Sequence, residues 1–196
     1  MMEFLTVFAA AFAAENLLFA RAFDAYGLRN LKEDPKKILQ FGALTTLILV
    51  IACPFAYGVN RLLYGTAIYN YVNGLVHLLI LAALYAGAYL LMKQYLPKIF
   101  EQIGKYLPFA AFNCATLGSL LLTAKDVEID SLSKAFAYHC GAGAGFTLAL
   151  LLLWSLRQRM NGANVPKSFR GFPLEMITVG LIALALVGLT GTQLPA

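Results

Sequence analysis

Few residues in this chain can do chemistry, and most of them interrupt apolar runs. Cys114 follows Asn113 inside Tyr106–Leu122, YLPFAAFNCATLGSLLL. A thiolate there could hold a soft metal or an iron–sulfur cluster, but such clusters usually take four thiolates. Cys114 stands alone, so ligation and packing are both open. Glu15 and Asn16 break the apolar run Phe4–Ala14, which resumes over Leu17–Ala20. An ionisable group inside a span is costly and by default faces a cavity or a partner. Glu15 is therefore either an ion or proton site, or a carboxylate that snorkels or pairs with Arg21. Glu15, Asn16, Asn113 and Gly118 are the candidate lining of an ion path. His77 reads as a hydrogen-bonded core histidine. His139 and Cys140 are adjacent, so on a helix they point about 100° apart and cannot easily share one ion. Cys53 and Cys140 read as small buried residues. Three cysteines without CxxC spacing imply neither a disulfide framework nor a zinc ribbon. No catalytic constellation is present.

The elements that must position these residues are membrane helices. The 196 residues are 60% hydrophobic and 13% charged, and the mean hydropathy is +0.72. Soluble domains carry about 25% charged residues. With about 20 apolar residues per crossing, the chain predicts six spans: Phe4–Phe23, Ile38–Val59, Val72–Met92, Tyr106–Ala124, Ala135–Leu156 and Met176–Gly191. The expected fold is an all-α integral membrane domain over residues 1–196, with one three-helix half in 1–100 and the other in 101–196. Three spans per half is odd, so a duplication would set the halves in opposite orientations, as inverted repeats. Each half opens on an interrupted helix, which points to a site at the repeat interface. Gly141 and Gly145 form a small-xxx-small pair suited to close helix contact. Pro54 is expected to kink the second span. Glu175, after Pro173, suits the first turn of the last helix.

Charge sets the expected orientation. Arg21, Arg29, Lys32, Lys36, Lys37, Lys93, Lys98, Lys105, Arg157, Arg159, Lys167 and Arg170 fall in the first, third and fifth loops. The other side holds Arg61, Lys125 and Lys134. The positive-inside rule then puts both termini outside. Under this reading the net charge of +5 reflects membrane-flanking loops, and the partner is a lipid bilayer, not nucleic acid. Phe4–Ala14 lacks the basic flank and small-residue cleavage site of a signal peptide. Asp126, Glu128 and Asp130 read as a solvated hairpin.

Three segments resemble the small membrane subunits of the Rnf and Na⁺-pumping Nqr complexes, on the RnfA/NqrE branch. Tyr106-Leu107-Pro108, Asn113-Cys114-Ala115 and Leu117-Gly118 are similar to the family pattern YLP-x4-NCA-x-LG. Leu156–Arg159, Val165-Pro166, Phe169-Arg170-Gly171 and Gly180-Leu181 resemble its IRER…VP…FRG…GL ending, and Gly141–Phe146 its GAALGF. The resemblance implies a bacterial or archaeal plasma-membrane subunit, not catalytic alone, that helps carry electrons across the membrane coupled to Na⁺ or H⁺ movement. It implies partners among the other complex subunits, especially an oppositely oriented homologue, and a [2Fe–2S] cluster held by two cysteines from each of the two chains.

Two departures bear on that expectation. Tyr26 stands where the family has the companion cysteine, followed by Gly27 in place of proline, and a phenol is a poor substitute for a thiolate. The third span lacks the acidic residue common there, around Ala88–Leu91. The cluster is altered, lost, or completed by the partner's ligands. The alternatives are a substrate-binding component of a vitamin transporter, for which Ala10 and Ala14 would form a helix-packing pair, and a structural subunit that has lost redox function.

Overall fold

A computed structural model describes residues 2–14, 16, 34–63, 69–125, 129, 131–161, 166 and 169–190. All described elements are helical. Helix α1 (Met2–Ala9) continues into a π-helical turn, Ala10–Ala14. There follow α2 (Pro35–Leu63), α3 (Tyr69–Tyr95), α4 (Pro97–Ile103), α5 (Leu107–Ala111), α6 (Cys114–Lys125), α7 (Leu132–Asn161) and α8 (Phe172–Thr190). Four stretches are long and apolar enough to cross a bilayer: Pro35–Leu63, Tyr71–Tyr95, Leu107–Ala124 and Leu132–Met160. Met2–Ala13 and Pro173–Leu186 are shorter apolar helices that overlap the first and last expected spans, and the first span beyond Asn16 lies outside the described residues. Pro54 lies within α2 and does not end it.

The centre is the α2–α7 pair. The same short pattern, glycine then threonine four residues on, occurs on both helices. Thr46 donates its hydroxyl to Gly42 O at 2.8 Å, and Thr147 donates to Gly143 O at 2.8 Å. Each threonine then fills the space above the other helix's glycine. A methyl group at Gly143 would lie 2.5 Å from Thr46 Oγ1, and one at Gly42 would collide with Thr147. In hydrocarbon there is no hydrophobic drive between helices, so close van der Waals packing across small residues supplies the association. Returning each hydroxyl to its own helix also leaves neither threonine unmet.

Each interrupted helix rests on one member of this pair. Helix α1 lies along α7, where Gly141 faces Phe8 O and Ala11, and a methyl group at Gly145 would lie 2.5 Å from Phe12 O. Helices α5 and α6 pack against α2. The core between them is built from buried apolar residues such as Ile38, Phe41, Leu49, Leu120, Phe146 and Leu150. Leu47, Ile51 and Phe55 of α2, Leu75 and Leu79 of α3, and Leu181 and Leu184 of α8 face outward, as lipid-facing residues should. An open apolar groove of about 660 Å³ runs along the α2–α7 seam past Val50, Ile51 and Leu148.

Candidate functional site

The fourth span is two helices joined at a break. Proline can stand in a helix's first turn, where its missing N–H has no intrahelical partner anyway, and Pro108 does so in α5. The last helical bond of α5 runs from Phe112 N–H to Pro108 O at 2.9 Å, and Phe112 itself leaves helical geometry at φ −105, ψ 42. Asn113 restarts the helix. Its Oδ1 accepts from Thr116 N–H at 2.6 Å, the arrangement of an N-cap residue. Thr116 Oγ1 closes the gap, 2.8 Å from Ala111 O and 3.0 Å from Asn113 O. The N–H groups of Phe112, Thr116 and Leu117 and the carbonyls of Ala111 and Asn113 therefore find partners within the chain.

Cys114 is the first residue of α6, and its side chain is exposed on the surface of the chain. At 1.5 Å per residue it lies about 10 Å along the span from Leu107. Its burial differs from that of Cys53, which is in the core, and of Cys140, which is half-buried. A thiol placed there is open to a neighbouring subunit rather than to this chain's own interior. Phe112 beside it is also exposed and meets Tyr85 edge-on, 5.4 Å between ring centres.

The structure distributes the other candidate residues unevenly. Asn113 is buried, and its Nδ2 has no partner among the described residues. Gly118 is half-buried one turn along α6. Asn16 is buried elsewhere: its Nδ2 donates to Gly145 O at 2.8 Å and lies 3.4 Å from Phe12 O. Asn16 thus ties the end of the first helix to α7. Glu15 and Tyr26 lie outside the described residues. Among the described residues, no three His, Cys, Asp or Glu side chains converge as a metal site.

The histidines do more than fill the core. His77 is fully buried on α3 and donates from Nδ1 to Asn73 O at 2.8 Å. His139 is buried between two hydroxyls of α6, with Nδ1 at 2.9 Å from Ser119 Oγ and Nε2 at 3.4 Å from Thr123 Oγ1. Thr123 carried no weight in the sequence, and Ser119 counted only as an interruption of the apolar run. The signal that could have found them is the spacing Asn113, Thr116, Ser119, Thr123, which puts four polar residues on one face of α6. At the last helix, Glu175 sits in the first turn of α8 as expected and adds an ion pair, 3.1 Å from Arg157 Nε.

The chain has named relatives across its length. It is 28% identical over 193 residues to the subunit designated A in the Na(+)-translocating ferredoxin:NAD(+) oxidoreductase complex of Acetobacterium woodii, covering 98% of this chain and 100% of that protein. It is 29% identical over 191 residues to the like-lettered subunit of the ion-translocating oxidoreductase complex of Syntrophotalea carbinolica, covering 97% and 98%. The corresponding Vibrio vulnificus subunit is 28% identical over 191 residues, with the same coverage. The family model for Rnf-Nqr subunits, described as membrane proteins, matches residues 4–193. With its apolar helices and a match across almost every residue, this chain belongs to the Rnf-Nqr family of membrane subunits.

Proposed function

We propose that the chain is a membrane subunit of an Rnf-type electron-transport complex in a bacterial or archaeal plasma membrane, helping electrons cross the bilayer coupled to Na⁺ or H⁺ movement. The observation that carries this is the capped break at Asn113, which holds Cys114 on the chain's outer surface within a span. A group there can be shared only with a second protein, so the partner is another subunit of the complex, with an oppositely oriented homologue as the best fit. The match over residues 4–193 favours this reading over a vitamin-transport component.

The reciprocal Gly42–Thr147 and Gly143–Thr46 packing supports two inverted halves. So does the way each interrupted helix rests on the second span of the other half. The proposed topology has both termini outside, on the charge asymmetry of the loops. The donor set does not fit a [2Fe–2S] cluster that takes two cysteines from each chain. The described residues offer the single surface thiol of Cys114 at the break, and Tyr26 offers a phenol at the other expected position. A cluster at this position would need its remaining ligands from the partner.

The test is purification of the intact complex, without oxygen, from native membranes through a tag on this chain. A second family member and redox subunits should co-purify, and Cys114→Ala should lower electron transfer at least tenfold. A chain that purifies alone would overturn the assembly. Unchanged electron transfer in Cys114→Ala would reduce the chain to a structural role.

A further inference from the structure

The last turns of α7 and the first turns of α8 border a small cavity. It measures about 20 Å³ and is lined by Trp154, Arg157 and Met160 of α7, Glu175 and Thr178 of α8, and Ile38 of α2. Its polar groups come as two pairs, Trp154 with Arg157 and Glu175 with Thr178. Residues three apart share a helix face, so each helix turns one pair toward the other. Arg157 Nε donates to Glu175 Oε1 across the gap at 3.1 Å. Thr178 Oγ1 donates to Leu174 O at 2.8 Å and lies 3.5 Å from Met160 Sδ. Glu175 is the one acidic residue among those described that is not fully exposed, and its side chain is 14% accessible.

The hydrogen bonds around this cavity do not balance. Trp154 Nε1 is buried, and it has no partner among the described residues. An indole nitrogen only donates, so it calls for an acceptor. Spare acceptor capacity stands on the facing helix. The ion pair engages one carboxylate oxygen of Glu175, which leaves the other. Thr178 Oγ1 sends its proton to Leu174 O, which leaves its lone pairs. Neither oxygen bonds the indole directly, so a third group has to stand between them. Size and charge narrow what that group is. One water needs about 10–15 Å³ of such space and two to four polar partners. An ion of either sign would meet its like charge at the wall, Arg157 for a cation and Glu175 for an anion. A neutral group of one heavy atom that both accepts and donates is what remains.

We propose that the cavity binds a single water molecule, which accepts from Trp154 Nε1–H and donates to Glu175 and Thr178. The water adds a second, uncharged tie between α7 and α8 beside the Arg157–Glu175 ion pair. A water-mediated bond is nearly as favourable as a direct one, and it spans a gap that neither side chain closes alone. The two ties together set the spacing of the helices that flank the fifth loop. They also give a role to Arg157, in the Leu156–Arg159 segment, beyond its charge. The site is independent of electron transfer and does not rest on the proposed function.

The chain contains one tryptophan, so ¹⁵N-indole labelling gives a single ring N–H signal. In the full chain in detergent micelles, the indole proton and water should show NOE and ROE rates of opposite sign, the mark of a held water rather than a passing one. Glu175→Leu should weaken that cross-peak at least fivefold. Glu175→Gln keeps an acceptor oxygen and should retain it. Thr178→Val should also retain it, since Trp154 and Glu175 still hold the water. Replacing sodium by potassium at equal ionic strength should leave the indole signal in place. Rates of the same sign in the folded wild type would overturn the site. So would a cross-peak that survives Glu175→Leu, or one lost in Glu175→Gln. Loss in Thr178→Val would trace the signal to the threonine hydroxyl, and a signal that moves with the cation would put an ion there; either result overturns the water. If Glu175→Leu does not fold, the wild type and the other two variants still decide.

Discussion

The two interrupted helices solve the same problem in different ways. At the second break the partners are local: Asn113 caps Thr116, and Thr116 returns its hydroxyl to Ala111 and Asn113. At the first, the π-helical turn ends near Asn16, whose amide reaches 129 positions along the chain to Gly145 O. The second break is encoded in a few consecutive residues and should survive changes elsewhere. The first exists only when α7 presents two glycines that let a helix backbone approach. The locally sealed break leaves Cys114 on the surface of the chain, while the end of the first helix is held by its long-range contact with α7.

The largest effect should come from filling the glycine seat of the first helix. A side chain at Gly145 has to displace the backbone at Phe12, and overpacking of this kind costs about 1–3 kcal/mol, occasionally more. Gly145→Leu should lower the thermal unfolding midpoint in detergent far more than Gly180→Leu, since Gly180 has open space around it. Equal effects would mean that α1 does not dock on α7.

The local break is tested next. Thr116→Val removes the hydroxyl that meets two carbonyls, at a cost of about 1–3 kcal/mol, and Asn113→Ala removes the cap, at about 1 kcal/mol. Asn113→Asp keeps an acceptor for Thr116 N–H and should recover most of the loss. If Asp and Ala behave alike, the cap is not what restarts the helix. Asn16→Ala should cost about as much as Asn113→Ala, but its effect should vanish in a Gly145→Leu background, where the seat is already lost. Asn113→Ala should keep its full effect there, because its partners lie within three residues.

The smallest effect belongs to the Glu175–Arg157 pair, which is partly exposed. Ion pairs of this kind contribute about 0–1 kcal/mol, so Glu175→Gln should shift the unfolding midpoint little, and less at high salt. A shift as large as that of Thr116→Val would show the pair to be sealed from solvent.

The four long spans and the shorter apolar helices near each end were legible from hydropathy, because a membrane demands long apolar runs and internal backbone pairing whatever the tertiary arrangement. The break at Asn113 was legible too, since proline, asparagine and threonine act on backbone groups within a turn. So was the close-packing role of Gly141 and Gly145, where the absence of a side chain has one obvious use in lipid. The sequence did not disclose that Asn16 bonds Gly145 of α7, nor that Gly42 and Gly143 each receive the other helix's threonine. It did not show that His139 sits between Ser119 and Thr123. Those pairings join residues from 16 to 129 positions apart, and which faces meet depends on how every helix rotates to bury its neighbours. Local periodicity sets what each helix can offer. Only packing decides which offer is taken up.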